Sequence, residues 1–186
     1  MTVPAHLTVL AGPTAVGKGT VVKALRSRHP ELVVSVSATT RSPRPGEVNG
    51  RDYFFVTEDQ FQDMIDRGDM LEWATVHQTR RYGTPRGPVQ EALNAGKPVL
   101  LEIDLDGARQ VRRSMPEAHL IFLAPPSWEE LVNRLVGRGT EEEDERTRRL
   151  ETARIEMAAE NEFDTTVIND QIDETAATLA HLMGLE

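Results

Sequence analysis

The chain has 186 residues, 39% of them hydrophobic and 27% charged, with a formal net charge of -9 and no cysteine. Such a composition belongs to a globular protein of one domain, or one domain with inserts. It excludes disulfides, zinc–thiolate sites and cysteine nucleophiles, and the acidic balance argues against bulk nucleic-acid binding. No apolar stretch approaches the ~20 residues of a membrane span. The start, Met1 to His6, has neither a basic segment nor a long apolar core, so no secretory signal is read and a cytoplasmic location is expected.

Apolar runs alternate with helical periodicity along the chain, the pattern of an α/β protein with a mostly parallel sheet. Leu7–Ala11 reads as the first strand. It runs into Gly12-Pro13-Thr14-Ala15-Val16-Gly17-Lys18-Gly19-Thr20, and a helix is predicted from Gly17 to Arg28. Strand, glycine loop, helix is the order of a phosphate-binding loop. The glycines let successive backbone N–H groups turn inward onto phosphate oxygens, Lys18 adds a positive charge, and the helix N-terminus adds its dipole. One position departs from the usual motif. Where Ser or Thr normally follows the lysine to touch Mg²⁺, this chain has Gly19, and the hydroxyl comes next, at Thr20.

Leu32–Val36 and Tyr53–Val56 read as short strands. Thr57 and Gln60 form a capping box for a helix whose buried stripe is Phe61, Met64 and Ile65, ended by Gly68. Val89–Ala95 is a helix stopped by Gly96. Pro98–Asp104 is a near-continuous apolar run, as a central parallel strand requires. Its acids, Glu102 and Asp104, fall at the carboxyl end, where ligands bind in open α/β sheets. Leu120–Leu123 is another buried strand, and Ser127 caps a helix carrying Trp128, Leu131, Val132, Leu135 and Val136 at helical spacing. Thr166–Asn169 is the last strand and Glu174–Met183 the last helix.

Two stretches break the alternation. Ser37–Tyr53 is rich in Arg, Pro, Gly and Thr, and Gly137–Glu145 runs from Gly-Arg-Gly-Thr into five consecutive acids. Excursions of this kind carry function more often than framework does. Arg41 and Arg44 stand three apart in a segment stiffened by Pro43 and Pro45. Each guanidinium can grip a phosphate with two parallel N–H bonds. Read alone, the segment is either a second phosphate site or a solvated basic loop. Glu72 and Asp104 alone read as cap or surface acids, Tyr53 and Tyr82 as packing, and the acids from Glu141 to Glu145 as a helix N-terminus. The five histidines lack metal-ligand spacing.

Together these segments resemble the guanylate kinase family. The resemblance is carried, in order, by the loop Gly12–Lys18, Ser37–Glu47, Gly50-Arg51-Asp52-Tyr53, Leu71-Glu72-Trp73-Ala74, Tyr82-Gly83-Thr84, Leu101-Glu102-Ile103-Asp104, Phe122–Ser127 and Arg134–Thr140. It runs from about Leu7 to Leu182. It implies a P-loop three-layer fold with a GMP-binding insert and a helical lid: core over 1–36, 98–126 and 160–186, insert over 37–97, lid over 127–159.

The implied reaction is ATP + GMP ⇌ ADP + GDP with Mg²⁺. The family's roles place Gly12 to Thr20 and Asn169 on ATP, and Ser37, Arg41, Arg44, Tyr53, Glu72, Tyr82, Thr84, Glu102 and Asp104 on the GMP side. Lys18, Arg134, Arg138 and Arg149 fall on the transferring phosphoryl group, and Thr20 near Mg²⁺. The partners implied are ATP, GMP and dGMP, with neither nucleic acid nor membrane. Lys-Gly-Thr resembles the order in adenylate kinases, while the base-selecting motifs stay of the guanylate type. A protein-binding module without activity, or a kinase of sugar phosphates, are the alternatives. The basic run Gln78-Thr79-Arg80-Arg81 has no functional account at this stage.

Overall fold

A computed structural model describes residues 6–137 and 142–185. Its framework is a five-stranded parallel sheet in the order β2-β7-β1-β8-β9, formed by Val33–Val34, Val99–Glu102, Leu7–Ala11, His119–Ala124 and Thr165–Ile168 respectively. Side chains alternate across it, as strand geometry demands. Leu10, Leu100, Ile121 and Leu123 face helices α1 (Lys18–Arg28) and α7 (Ile172–Leu182), while Leu7, Val9, Leu101 and Leu120 face α3 (Arg86–Asn94) and α4 (Leu105–Ser114). Both faces are covered, which is why these strands read as continuous apolar runs.

The chain leaves this framework twice. The first excursion builds a four-stranded sheet, β4-β3-β6-β5, from Phe54–Phe55, Ala38–Thr39, Arg80–Pro85 and Met70–Val76. Strands β5 and β6 form an antiparallel hairpin, and β3 pairs with β6 on one side and β4 on the other. Helix α2 (Glu58–Asp66) closes one face, opened by the expected Thr57–Gln60 capping box. Phe61, Ala38 and Met70 make a small separate core there; Met64 and Ile65 are only partly buried. The second excursion pairs α5 (Trp128–Val136) with α6 (Glu143–Ala158) through Leu131, Leu135 and Ala153. Ser127 caps α5 as expected, its hydroxyl accepting the Glu130 N–H.

Several expectations need correction. The Pro98–Asp104 run is strand only from Val99 to Glu102, and Asp104 is, as its cap reading allows, the N-cap of α4, a helix that the sequence pattern does not announce. The strand expected over Leu32–Val36 is confined to Val33–Val34, and that over Tyr53–Val56 to Phe54–Phe55. Strands β3, β5 and β6 carry no periodic signal in the sequence and appear only in the structure. Arg138, with Gly139, Thr140 and Glu141, lies outside the described residues.

Candidate active site

The phosphate loop leaves β1 at the centre of the sheet, between β7 and β8, and passes so close to β8 that it tolerates no side chain at its first position. A Cβ on Gly12 would stand 2.3 Å from the Leu123 carbonyl oxygen. Pro13 follows, its carbonyl accepting the Val16 N–H at 3.2 Å. Ala15 and Gly17 take left-handed φ values of 68° and 98°, a conformation that costs an L-residue and suits glycine. Gly17 is also the N-cap of α1 and offers no side chain there, so the first-turn N–H groups of Lys18, Gly19 and Thr20 have no intrahelical acceptor.

Three contacts brace the loop from outside. The buried Asn169 donates its side-chain N–H to the Val16 carbonyl at 2.8 Å, and Arg134 of α5 reaches the same carbonyl at 3.3 Å. Glu156 of α6 accepts the Thr14 N–H at 2.9 Å. Among the described residues the buried side-chain oxygen of Asn169 has no hydrogen-bond partner. Lys18 lies back on its own loop, Nζ donating to the Gly12 carbonyl at 2.8 Å. Burial pulls its pKa below the ordinary lysine value, opposed by the negative charges of Glu156, Glu102 and Asp104. Glu102 projects beside α1, 3.5 Å from where a Cβ on Gly19 would sit. Burial raises its pKa and the nearby Lys18 lowers it, with burial the stronger.

Arg41 belongs to a second polar cluster, on the insert. Its two terminal nitrogens donate to the two oxygens of Glu47, each at 3.0 Å, and Glu47 also accepts the Arg44 N–H at 2.7 Å. The pairing holds Glu47 below the usual carboxylate range and raises Arg41 further above neutral pH. The Arg41 guanidinium lies 5.2 Å from the centre of the Tyr53 ring, and Tyr53 meets Tyr82 edge to face at 6.0 Å. Arg44 is exposed, and Ser37 is half-buried at the entry to β3.

Between the loop and this cluster stand the two acids. Glu72, on β5, is buried at 8% exposure and accepts the Thr84 hydroxyl of β6 at 2.7 Å. Burial raises its pKa, Thr84 lowers it and Asp104 raises it again. Asp104 caps α4 by accepting the Gly107 N–H at 2.8 Å. The cap reading of Asp104 therefore holds, and the cap uses one carboxylate oxygen, Oδ1.

The other predicted residues are more dispersed. Thr20 is exposed on the first turn of α1. Arg134 pairs with Glu130 at 3.1 Å, and Arg149 contacts the Leu135 carbonyl at 3.4 Å and Glu145 at 3.5 Å. Three participants escaped the sequence reading: Glu47 as partner of Arg41, Glu156 on the loop, and Gly107 beside the acids. Only Glu47, three residues from Arg44, carried a local signal. A separate hollow of about 290 Å³ between Arg112, Leu120 and Phe163 lies on α4, where Arg109 pairs with Glu162 and Arg112 with Asp164.

The comparisons with known proteins decide the family. A model of the family described as guanylate kinase matches residues 5–186. The chain belongs to the guanylate kinase family. It is 63% identical to a guanylate kinase of Leifsonia xyli, over 96% of this chain and 70% of that one, and 58% identical to one of Cutibacterium acnes, over 98% and 92%. Among solved structures, the guanylate kinase of Anaplasma phagocytophilum superimposes with a TM-score of 0.71 at 32% identity, over 99% of this chain and 86% of that one. Among the described residues no helix is long and apolar enough to cross a membrane.

Proposed function

We propose that this guanylate kinase family member transfers the γ-phosphoryl group of ATP to GMP, giving ADP and GDP, and that the cleft between phosphate loop and insert sheet is where it does so. The observation that carries this reading is the buried Glu72–Thr84 pair, whose carboxylate meets Asp104 over Gly107, with Asp104 close enough to Lys18 to act on its charge. Guanine presents N–H donors on its Watson–Crick edge, and two carboxylates supply acceptors for them. Adenine presents an acceptor where guanine has N1–H, leaving a buried carboxylate unpaired, which a polar site rejects strongly.

In this reading Arg41, Arg44, Tyr53 and Tyr82 hold the GMP phosphate, and Ser37 and Thr84 add hydroxyl contacts. The backbone from Gly12 to Thr20 cradles the ATP phosphates, and Asn169 braces that cradle through Val16. A phosphate oxygen of GMP attacks Pγ, the bond from Pγ to the ADP oxygen breaks, and Lys18 swings from the Gly12 carbonyl to follow the moving charge. Such chemistry asks for positioning and electrostatic stabilisation rather than a protein nucleophile. Arg134, Arg138 and Arg149 close from the lid formed by 127–159, excluding water that would hydrolyse ATP. The insert over 37–97 carries the acceptor.

Among the described residues no group of three or more metal-ligating side chains could hold an ion. The donors at hand, the Thr20 hydroxyl and the Glu102 carboxylate, fit a Mg²⁺ that arrives with ATP and keeps most of its water and phosphate ligands. When bound it neutralises phosphate charge. The roles assigned touch phosphate and base, so dGMP is expected to serve as well.

A coupled assay offering GMP, AMP and ribose phosphate with ATP tests the assignment. GMP should be used strongly over AMP; activity confined to the sugar phosphate, or tight GMP binding without turnover, would overturn it. Lys18→Ala should lower kcat by about 10² or more while its unfolding curve stays near that of wild type.

A further inference from the structure

Among the described residues, and outside the phosphate loop and its Gly19, two glycines occupy the first turn of a helix. Gly87 is the second residue of α3 and Gly107 the third of α4. Neither has the left-handed φ that would demand glycine, and a glycine inside a helix is less favourable than alanine. At Gly87 a Cβ would meet nothing within 4 Å. At Gly107 a Cβ would stand 3.1 Å from an Asp104 carboxylate oxygen, 3.2 Å from Glu72 Oε2 and 3.2 Å from Ile103 Cδ1. The two carboxylates are not free ends. Asp104 is fixed by its cap bond to the Gly107 N–H, and Glu72 is fixed by Thr84.

We propose that Gly107 is a specificity-determining position for the guanine base, acting through Glu72 and Asp104 as a positioning residue. By presenting no side chain it lets Glu72 of the insert sheet and the helix-cap carboxylate of Asp104 converge over the first turn of α4, each with an oxygen 3.1–3.2 Å from the place a Cβ would take. A methyl group there displaces one or both oxygens by a few tenths of an ångström. Hydrogen bonds to a buried carboxylate weaken steeply with lost alignment. The inference rests on the acceptor reading given above and adds the element that sets its geometry.

The test is Gly107→Ala beside Gly87→Ala in the full chain. Gly107→Ala should raise KM for GMP by about tenfold or more, the scale at which one hydrogen bond to a charged group is lost. KM for ATP should stay within about twofold. The preference for GMP over IMP, which lacks the 2-amino donors, should narrow, and the melting temperature should not fall. Gly87→Ala should change none of these. A general structural weakening does not move base preference selectively, so that readout isolates the positioning role.

Should Gly107→Ala fold poorly, Glu72→Asp supplies the second measurement, because the shorter side chain withdraws its carboxylate from the crowded point. The penalty of Gly107→Ala, read as lost stability or lost kcat/KM, should be smaller in the Glu72→Asp background; equal penalties in both overturn the proposal. Wild-type KM and base preference in Gly107→Ala, with Glu72→Gln impaired for GMP, also overturn it while leaving the guanylate acceptor intact. Absence of GMP preference in the wild type instead defeats the acceptor reading itself.

Discussion

The two sheets of this protein are held by different forces. In the parallel sheet, strands β7, β1 and β8 bury nearly every side chain against apolar helices, and their registers run without interruption. The insert sheet packs on a small core of three buried hydrophobic residues, Ala38, Phe61 and Met70, flanked by polar contacts. Arg81 lies 5.8 Å from the ring centres of both Phe61 and Trp73, donates to Gln62 at 2.8 Å and pairs with Glu58 at 3.5 Å. This accounts structurally for part of the basic run before Tyr82. The framework sheet can be dry because it only has to carry the loop. The insert must present arginines, acids and hydroxyls to a ligand, so its own fold has to be built from the same residue types.

That contrast can be broken at graded cost. Leu101→Ala, in the fully buried middle of β7, should lower unfolding free energy in urea by about 3 kcal/mol, within the range for large-to-small core changes. Arg81→Ala should cost about 1–2 kcal/mol, the scale of a cation against two aromatic faces. A loss equal to that of Leu101→Ala would erase the distinction between the sheets.

Glu72→Gln should change stability in the opposite direction at neutral pH, because burial raises the folded-state pKa of Glu72. A group raised in the folded state binds more protons there than in the unfolded chain, so its stabilising contribution is present below its ordinary pKa and is lost as pH rises through the raised value. Denaturant titrations from pH 4 upward should show wild type losing stability relative to Glu72→Gln over that window, and a parallel pair of curves would contradict it. The smallest effect is expected at the β5–β6 turn, where His77 and Gln78 take φ values of 51° and 61°. The turn in this three-residue connection is closed by the Thr79 N–H on the Val76 carbonyl at 3.3 Å, and a left-handed residue at its second central position favours glycine. Gln78→Gly should therefore raise stability by about 0.5–1 kcal/mol, read by thermal unfolding.

The same contrast governs what was legible in the sequence. β1, β7 and β8 announce themselves as apolar runs because both their faces are covered. β6 contains Arg80, Arg81, Gly83 and Pro85, and β3 has two residues, so neither carries a periodic signal. Helix α4 was hidden because Gly107 interrupts its first turn and its cap, Asp104, sits at the end of an apolar run. The phosphate loop, Arg41 and Glu72 were visible as local motifs. The contact of Glu156 with Thr14 spans 142 residues and the crowding at Gly107 depends on a side chain from another sheet; no local pattern encodes either.

The Thr14–Glu156 bond has a practical consequence. Thr14 is exposed, so its amide proton owes its protection from solvent exchange to one carboxylate on α6. Arg149 lies seven residues earlier on that helix, two turns along the same face. In the nucleotide-free protein the exchange rate of this single amide is therefore a gauge of where α6 rests: a substitution that shifts α6 away will quicken it, and one that presses α6 down will slow it.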